Sequence, residues 1–128
     1  MKLLLDTHTF LWFIMGNANL SATARSAIEN LANEKYVSVA SVWEIAIKVS
    51  VGKLSLSAPF STLIPHQLSA NGFELLNLGV AHAAALINLP FHHRDPFDRL
   101  LIGQAMIEQM QIVSIDSAFD VYPISRMW

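Results

Sequence analysis

Along most of the chain, apolar runs of four or five residues alternate with stretches in which apolar positions recur every three or four, as short buried strands alternating with amphipathic helices would give. Lys2 to Asp6 reads as a strand, followed by a helix over Thr9 to Met15. A second helix begins after Ser21, a strand covers Tyr36 to Ala40, and a third helix runs from about Val42 to Val51, where Gly52 stops it. Pro59 and Gly72 bracket a further helix, and Phe73 to Leu78 reads as a strand. Val80 to Ile87 and Pro96 to Met110 are helical, Gln111 to Ile115 is a strand, and a short turn or helix at Ser117 to Asp120 leads to a last strand near Tyr122 to Ser125. The strands are apolar throughout rather than alternating, so the pattern predicts a parallel sheet covered on both faces, an α/β sandwich. The periodicity lapses clearly only at Leu54 to Pro59 and at the His92 to Pro96 turn.

Composition changes this picture in three ways. A length of 128 residues fits one continuous core, so residues 1–128 are read as a single domain. The apolar fraction of 53% and mean hydropathy of +0.41 are high, yet no run approaches the ~18 residues of a membrane span. The excess is read as surface buried against another chain, with no membrane role. The opening Met-Lys-Leu-Leu-Leu begins like a secretory signal, but Asp6, Thr7, His8 and Thr9 interrupt it, so a cytoplasmic location is expected. The absence of cysteine excludes disulfides, thiolate zinc sites and cysteine nucleophiles. A net charge of −2 argues against a uniformly basic protein coating nucleic acid, while leaving room for a local basic cluster.

Only ten residues are acidic, and four of them stand among apolar neighbours. Asp6 closes Leu-Leu-Leu-Asp and Asp116 closes Ile-Val-Ser-Ile-Asp, placing both at the carboxyl ends of strands, where open α/β sheets form ligand sites. Glu44 in Ser41-Val-Trp-Glu44 and Asp98 in Asp95-Pro-Phe-Asp98 fall in the first turns of helices. Each position also has an ordinary explanation. Ser41 and Glu44 match a capping box, Asp95-Pro96 starts a helix well with Asp98 favouring the helix dipole, and a strand-terminal Asp can bond its own turn. Taken together, four carboxylates at one sheet edge would repel one another unless a divalent cation were present. Mg²⁺ and Mn²⁺ take such oxygen ligands and are suited to phosphodiester hydrolysis. Thr7 and Ser114 are adjacent or nearly adjacent to these carboxylates and offer hydroxyls, as surface turns also do routinely.

Leu-Leu-Leu-Asp6-Thr-His, Ser-Val-Trp-Glu44-Ile-Ala-Ile-Lys, Gly52-Lys-Leu, His93-Arg-Asp-Pro-Phe-Asp98-Arg-Leu-Leu-Ile and Ile-Val-Ser-Ile-Asp116 follow in this order over nearly the whole chain. This set resembles the PIN domain, specifically the toxin-type ribonucleases of bacterial VapBC toxin–antitoxin pairs. The resemblance implies a three-layer α/β/α sandwich with a central, mainly parallel sheet. It also implies Asp6, Glu44, Asp98 and Asp116 as metal ligands and catalytic residues, binding Mg²⁺ or Mn²⁺ for RNA hydrolysis. A homodimer and an antitoxin partner follow from the same likeness. Ser114 stands where the family more often has Thr, and Gly103 where an Ala is common. Asp95 competes with Asp98 for the metal role, and the spacing to Leu-Leu-Ile favours Asp98.

Lys48, Lys53, Arg94 and Arg99 flank the helix-borne carboxylates and suit contacts with an RNA backbone, or equally a solvated face and salt bridges. His92 and His93 can meet phosphate or move a proton, but the simpler expectation is a turn that shapes the pocket rim. His8, His66 and His82 lack the paired spacing of a zinc site, and Trp12, Trp43 and Trp128 are expected in the core or an interface. Two other functions compete: a PIN-fold binding protein without turnover, and an aspartate-dependent phosphatase or phosphoacceptor using Asp6. Against the second, His8 stands where the phosphatase pattern needs an Asp, and Glu44 has no role.

Overall fold

The computed structural model describes all 128 residues. Five strands, β1 (Lys2–Leu5), β2 (Glu34–Ser38), β3 (Phe73–Leu76), β4 (Gln111–Val113) and β5 (Arg126–Met127), form one sheet in the order β3-β2-β1-β4-β5. Every pairing is parallel, with Leu5 opposite Val37 on one side and Val113 on the other. The helices are α1 (Thr7–Met15), α2 (Ala22–Glu29), α3 (Val39–Ser50), α4 (Phe60–Ala70), α5 (Val80–Ala85) and α6 (Pro96–Glu108), with a 3-10 turn at Ser117–Val121.

Side chains on successive strand positions point to opposite faces, so Leu-Leu-Leu in β1 feeds two cores. Leu3 and Leu5 join Val37 and Val113 beneath Phe10, Ile28, Ile45 and Ile64. Leu4 joins Ile112 against Leu101, Ile102 and Ala105 of α6, together with Phe119 and Tyr122. The result is the expected α/β/α sandwich. No helix is long and apolar enough to cross a membrane.

Several boundaries differ from the sequence expectation. The second strand covers Glu34–Ser38 rather than Tyr36 to Ala40, because Ser38 caps α3, its hydroxyl accepting from the Ala40 N–H at 3.0 Å. This starts α3 three residues early and leaves Ser41 buried within the helix, its hydroxyl unpartnered, so the Ser41–Glu44 capping box does not form. The third strand stops at Leu76 and β4 at Val113, since the residues beyond turn out of the sheet towards the next helix. The last strand is Arg126–Met127 rather than Tyr122 to Ser125. Tyr122 ends the 3-10 turn and Pro123 has no N–H for a ladder, so pairing starts only where the Ser125 carbonyl accepts from Ile112.

Candidate functional site

Strands that all run the same way bring their carboxyl ends to one edge, and helices that follow them begin there. Asp6 continues β1 by one residue, its N–H donating to the Val113 carbonyl, and then caps α1 through Oδ1, which accepts from the Thr9 N–H at 2.9 Å. Asp116 lies just past β4, and its Oδ1 accepts from the Ala118 N–H at 2.9 Å, capping the 3-10 turn. Both Asp residues therefore do bond their own turns. Their second oxygens meet other side chains, Oδ2 of Asp6 the Ser114 hydroxyl and Oδ2 of Asp116 the His93 imidazole. Ser114 links the two: its hydroxyl donates to Asp6 Oδ2 at 2.5 Å and accepts from the Asp116 N–H at 3.0 Å.

Glu44 sits in the second turn of α3 rather than the first. Its Oε1 accepts from the Thr7 hydroxyl at 2.6 Å and its Oε2 pairs with Lys48 Nζ at 3.0 Å. Only 12% of its side chain is exposed. Asp98 lies in the first turn of α6, where Asp95 is the cap, accepting from the N–H groups of Phe97 and Asp98. Asp6, Thr7, Glu44, Lys48, Asp95, Asp98 and Asp116 line one cleft of about 190 Å³, together with His8 and Ile115.

The electrostatics are concentrated on Asp98. Burial first, then the charges of Asp95, Asp6, Glu44 and Asp116, push its carboxyl up to about 7 from an ordinary 3.8. No cation lowers it, because Lys48, the single lysine or arginine in the lining, is paired with Glu44. This donor set suits a hard divalent ion: carboxylate oxygens from four separate elements, several already oriented by hydroxyls and backbone N–H groups, and an excess of negative charge.

The proposed basic residues part company here. Lys48 is in the cleft, and Lys53 and Arg94 are exposed outside its lining. Arg99 is only 7% exposed, its guanidinium donating to the carbonyls of Leu86, Leu89, Pro90 and His93. It therefore cannot contact an RNA backbone; it ties down the turn before α6. Trp43 is largely exposed, with its ring edge-to-face with Phe97, whereas Trp12 and Trp128 pack together against the core.

Sequence reasoning undervalued His93. Rather than shaping the rim, it is 8% exposed, and its Nε2 lies 3.4 Å from Asp116 Oδ2. The available signal was its position five residues before Asp98, on the far side of a helix cap.

The PIN domain family model matches residues 3–124. Ribonuclease VapC16 of Mycobacterium tuberculosis (strain ATCC 25618 / H37Rv) is 33% identical over 60 residues, which is 47% of this chain and 43% of that protein. The chain thus matches less than half the length of this relative. Among solved structures, VapBC2 from Rickettsia felis bound to a DNA fragment from their promoter is similar over 99% of this chain and 98% of that one, with a TM-score of 0.75 and 17% identity. VapBC-1 from nontypeable Haemophilus influenzae is similar over 99% and 97%, with a TM-score of 0.67 and 14% identity.

Proposed function

We propose, since this chain belongs to the PIN domain family, that it is a Mg²⁺- or Mn²⁺-dependent endoribonuclease and the toxin of a type II toxin–antitoxin pair. The observation that carries this reading is the convergence of Asp6, Glu44, Asp98 and Asp116 on one cleft whose sole lysine is already paired. Partial similarity to a protein named as a ribonuclease supports the substrate class. Structural likeness to chains of the VapBC2 and VapBC-1 structures supports an antitoxin as partner.

When bound, Mg²⁺ or Mn²⁺ supplies the water activation and charge neutralisation that phosphodiester hydrolysis requires. The chain's own residues provide the geometry. Ser114 holds Asp6 and Asp116 in fixed relation, and Thr7 fixes the rotamer of Glu44. Asp98, without a neutralising neighbour, is the carboxylate most dependent on a cation for its ionised form. Lys48 in the cleft and the exposed Lys53 and Arg94 are the cations left to contact a phosphate backbone. A phosphoacceptor role for Asp6 is disfavoured, because both its oxygens are engaged by Thr9 and Ser114.

The test is cleavage of an RNA panel by purified protein with Mg²⁺, Mn²⁺ or EDTA, beside Asp6→Asn and Asp98→Asn. Cleavage is expected with either ion, none with EDTA, and a loss of at least about 100-fold in each variant. Undiminished cleavage in both variants, or in EDTA, rules the proposal out. Tight Mn²⁺ binding without cleavage of any RNA would instead favour a binding protein.

A further inference from the structure

The His93 imidazole is held more firmly than a rim residue needs to be. Its backbone N–H donates to the Tyr122 hydroxyl at 2.7 Å and its carbonyl accepts from Arg99. The ring stacks on Phe119 at 4.9 Å between centroids, with 19° between planes, and leans on Tyr122 at 5.4 Å. These contacts fix where Nε2 sits, beside Asp98 and Asp116.

At that point Nε2 and one oxygen each from Asp98 and Asp116 lie within 4.8 Å of one another. The one polar contact of the ring is the 3.4 Å approach to Asp116 Oδ2, and Nδ1 is buried without a partner. A charge-assisted N–H···O bond would be about 2.7–2.9 Å long. Two donor atoms sharing a divalent ion, each about 2.1–2.3 Å from it, sit roughly 3.0–3.4 Å apart. The spacing matches the second case better. The unpartnered Nδ1 does not favour either tautomer, since it lacks both a donor and an acceptor.

We propose that His93 Nε2 is a direct ligand of the divalent cation, forming one N,O,O face of the centre with Asp98 and Asp116. The proposal rests on the reading of the cleft as a metal site and adds a selectivity that carboxylates alone do not give. Imidazole suits transition ions, whereas Mg²⁺ favours oxygen ligands, so the centre prefers Mn²⁺ to Mg²⁺. The exposed His8, which also lines the cleft, has one tilted ring neighbour, Trp12 at 5.9 Å between centroids, where His93 is stacked on Phe119 and flanked by Tyr122.

The test is pulsed EPR of the full chain loaded with Mn²⁺, which reads directly bound nitrogen independently of activity. Nitrogen coupling is expected in the native protein, to take the ¹⁵N pattern when the protein is made with ¹⁵N-histidine, to persist in His8→Gln and His92→Gln, and to vanish in His93→Gln. The same His93→Gln variant should bind Mn²⁺ at least about tenfold more weakly while its Mg²⁺ affinity changes less than about threefold. Should His93→Gln not fold, the labelled native protein and the other two variants decide alone. Tightly bound Mn²⁺ without nitrogen coupling overturns the role of His93 and leaves the carboxylate site standing, as does coupling that survives in His93→Gln. Failure to bind Mn²⁺ at all overturns the metal centre and His93 with it.

Discussion

At the residue scale, the carboxyl of Asp98 stands at about 7 in the folded chain against 3.8 for an ordinary aspartate, because it is buried and faces Asp95, Asp6, Glu44 and Asp116. Below pH 3.8 both folded and unfolded chains are protonated there, and the group contributes nothing. As pH rises from about 4 to 7 the unfolded chain ionises first, so folding is progressively penalised, and above 7 the penalty is constant. Discounted for solvent screening at a partly exposed group, the penalty is on the order of 1–3 kcal/mol. Metal-free Asp98→Asn should therefore melt several degrees above the native protein at pH 8 and level with it near pH 4, in scans with EDTA. An equal shift at both pH values would show that burial and repulsion of the charge are not the cause. The same residues show how far a single sequence can be read. Asp6 and Asp116 are legible because an apolar run that ends in a carboxylate marks a strand end on the ligand edge. His93 is not, since the Tyr122 hydroxyl and Phe119 ring that orient it lie 26 or more residues away.

At the element scale, two helices fix the position of the site. Arg99 in the first turn of α6 reaches back to four carbonyls between Leu86 and His93, replacing regular structure in a turn that has none. Removing the guanidinium takes the donor from the Leu89 and His93 carbonyls, while Leu86 keeps the Leu89 N–H and Pro90 the Tyr122 hydroxyl. Arg99→Met should cost roughly 2–4 kcal/mol in chemical denaturation, with metal affinity falling as the turn that carries His93 loosens. A cost below about 0.5 kcal/mol would put Arg99 back on the surface. Further along α6, Gly103 lets α5 approach closely: a Cβ there would stand 2.9 Å from the His82 carbonyl and 3.0 Å from Leu86 Cδ2. Gly103→Ala should destabilise the protein by about 1–3 kcal/mol through overpacking, despite the better helix propensity of alanine. A gain in thermal stability would mean that α5 shifts freely. The periodicity identifies the existence and type of all six helices, because amphipathic spacing is a local property. It misplaces the start of α3, where two serines three residues apart both suit a cap and only packing chooses Ser38 over Ser41.

At the scale of the whole molecule, the apolar excess of the sequence is only partly absorbed by the two cores. Trp43 and Ile47 on α3 and Val51 at its C-cap recur every fourth residue and remain exposed, and Val80, Ile87 and Phe91 are open on and after α5. Surface of this kind is characteristic of chains that associate. The homodimer implied by family likeness should give a mass in solution of twice the 14.2 kDa chain by light scattering; a monomer at all concentrations up to about 100 µM would argue against it. Ser114, which joins Asp6 to Asp116, couples residues 110 positions apart in the chain. A growing polypeptide thus makes its first site residue early and its last one late, and at about 5–20 residues per second the interval is roughly 5–20 s. During that interval no complete cleft exists, so whatever the site does must wait until synthesis has passed Asp116.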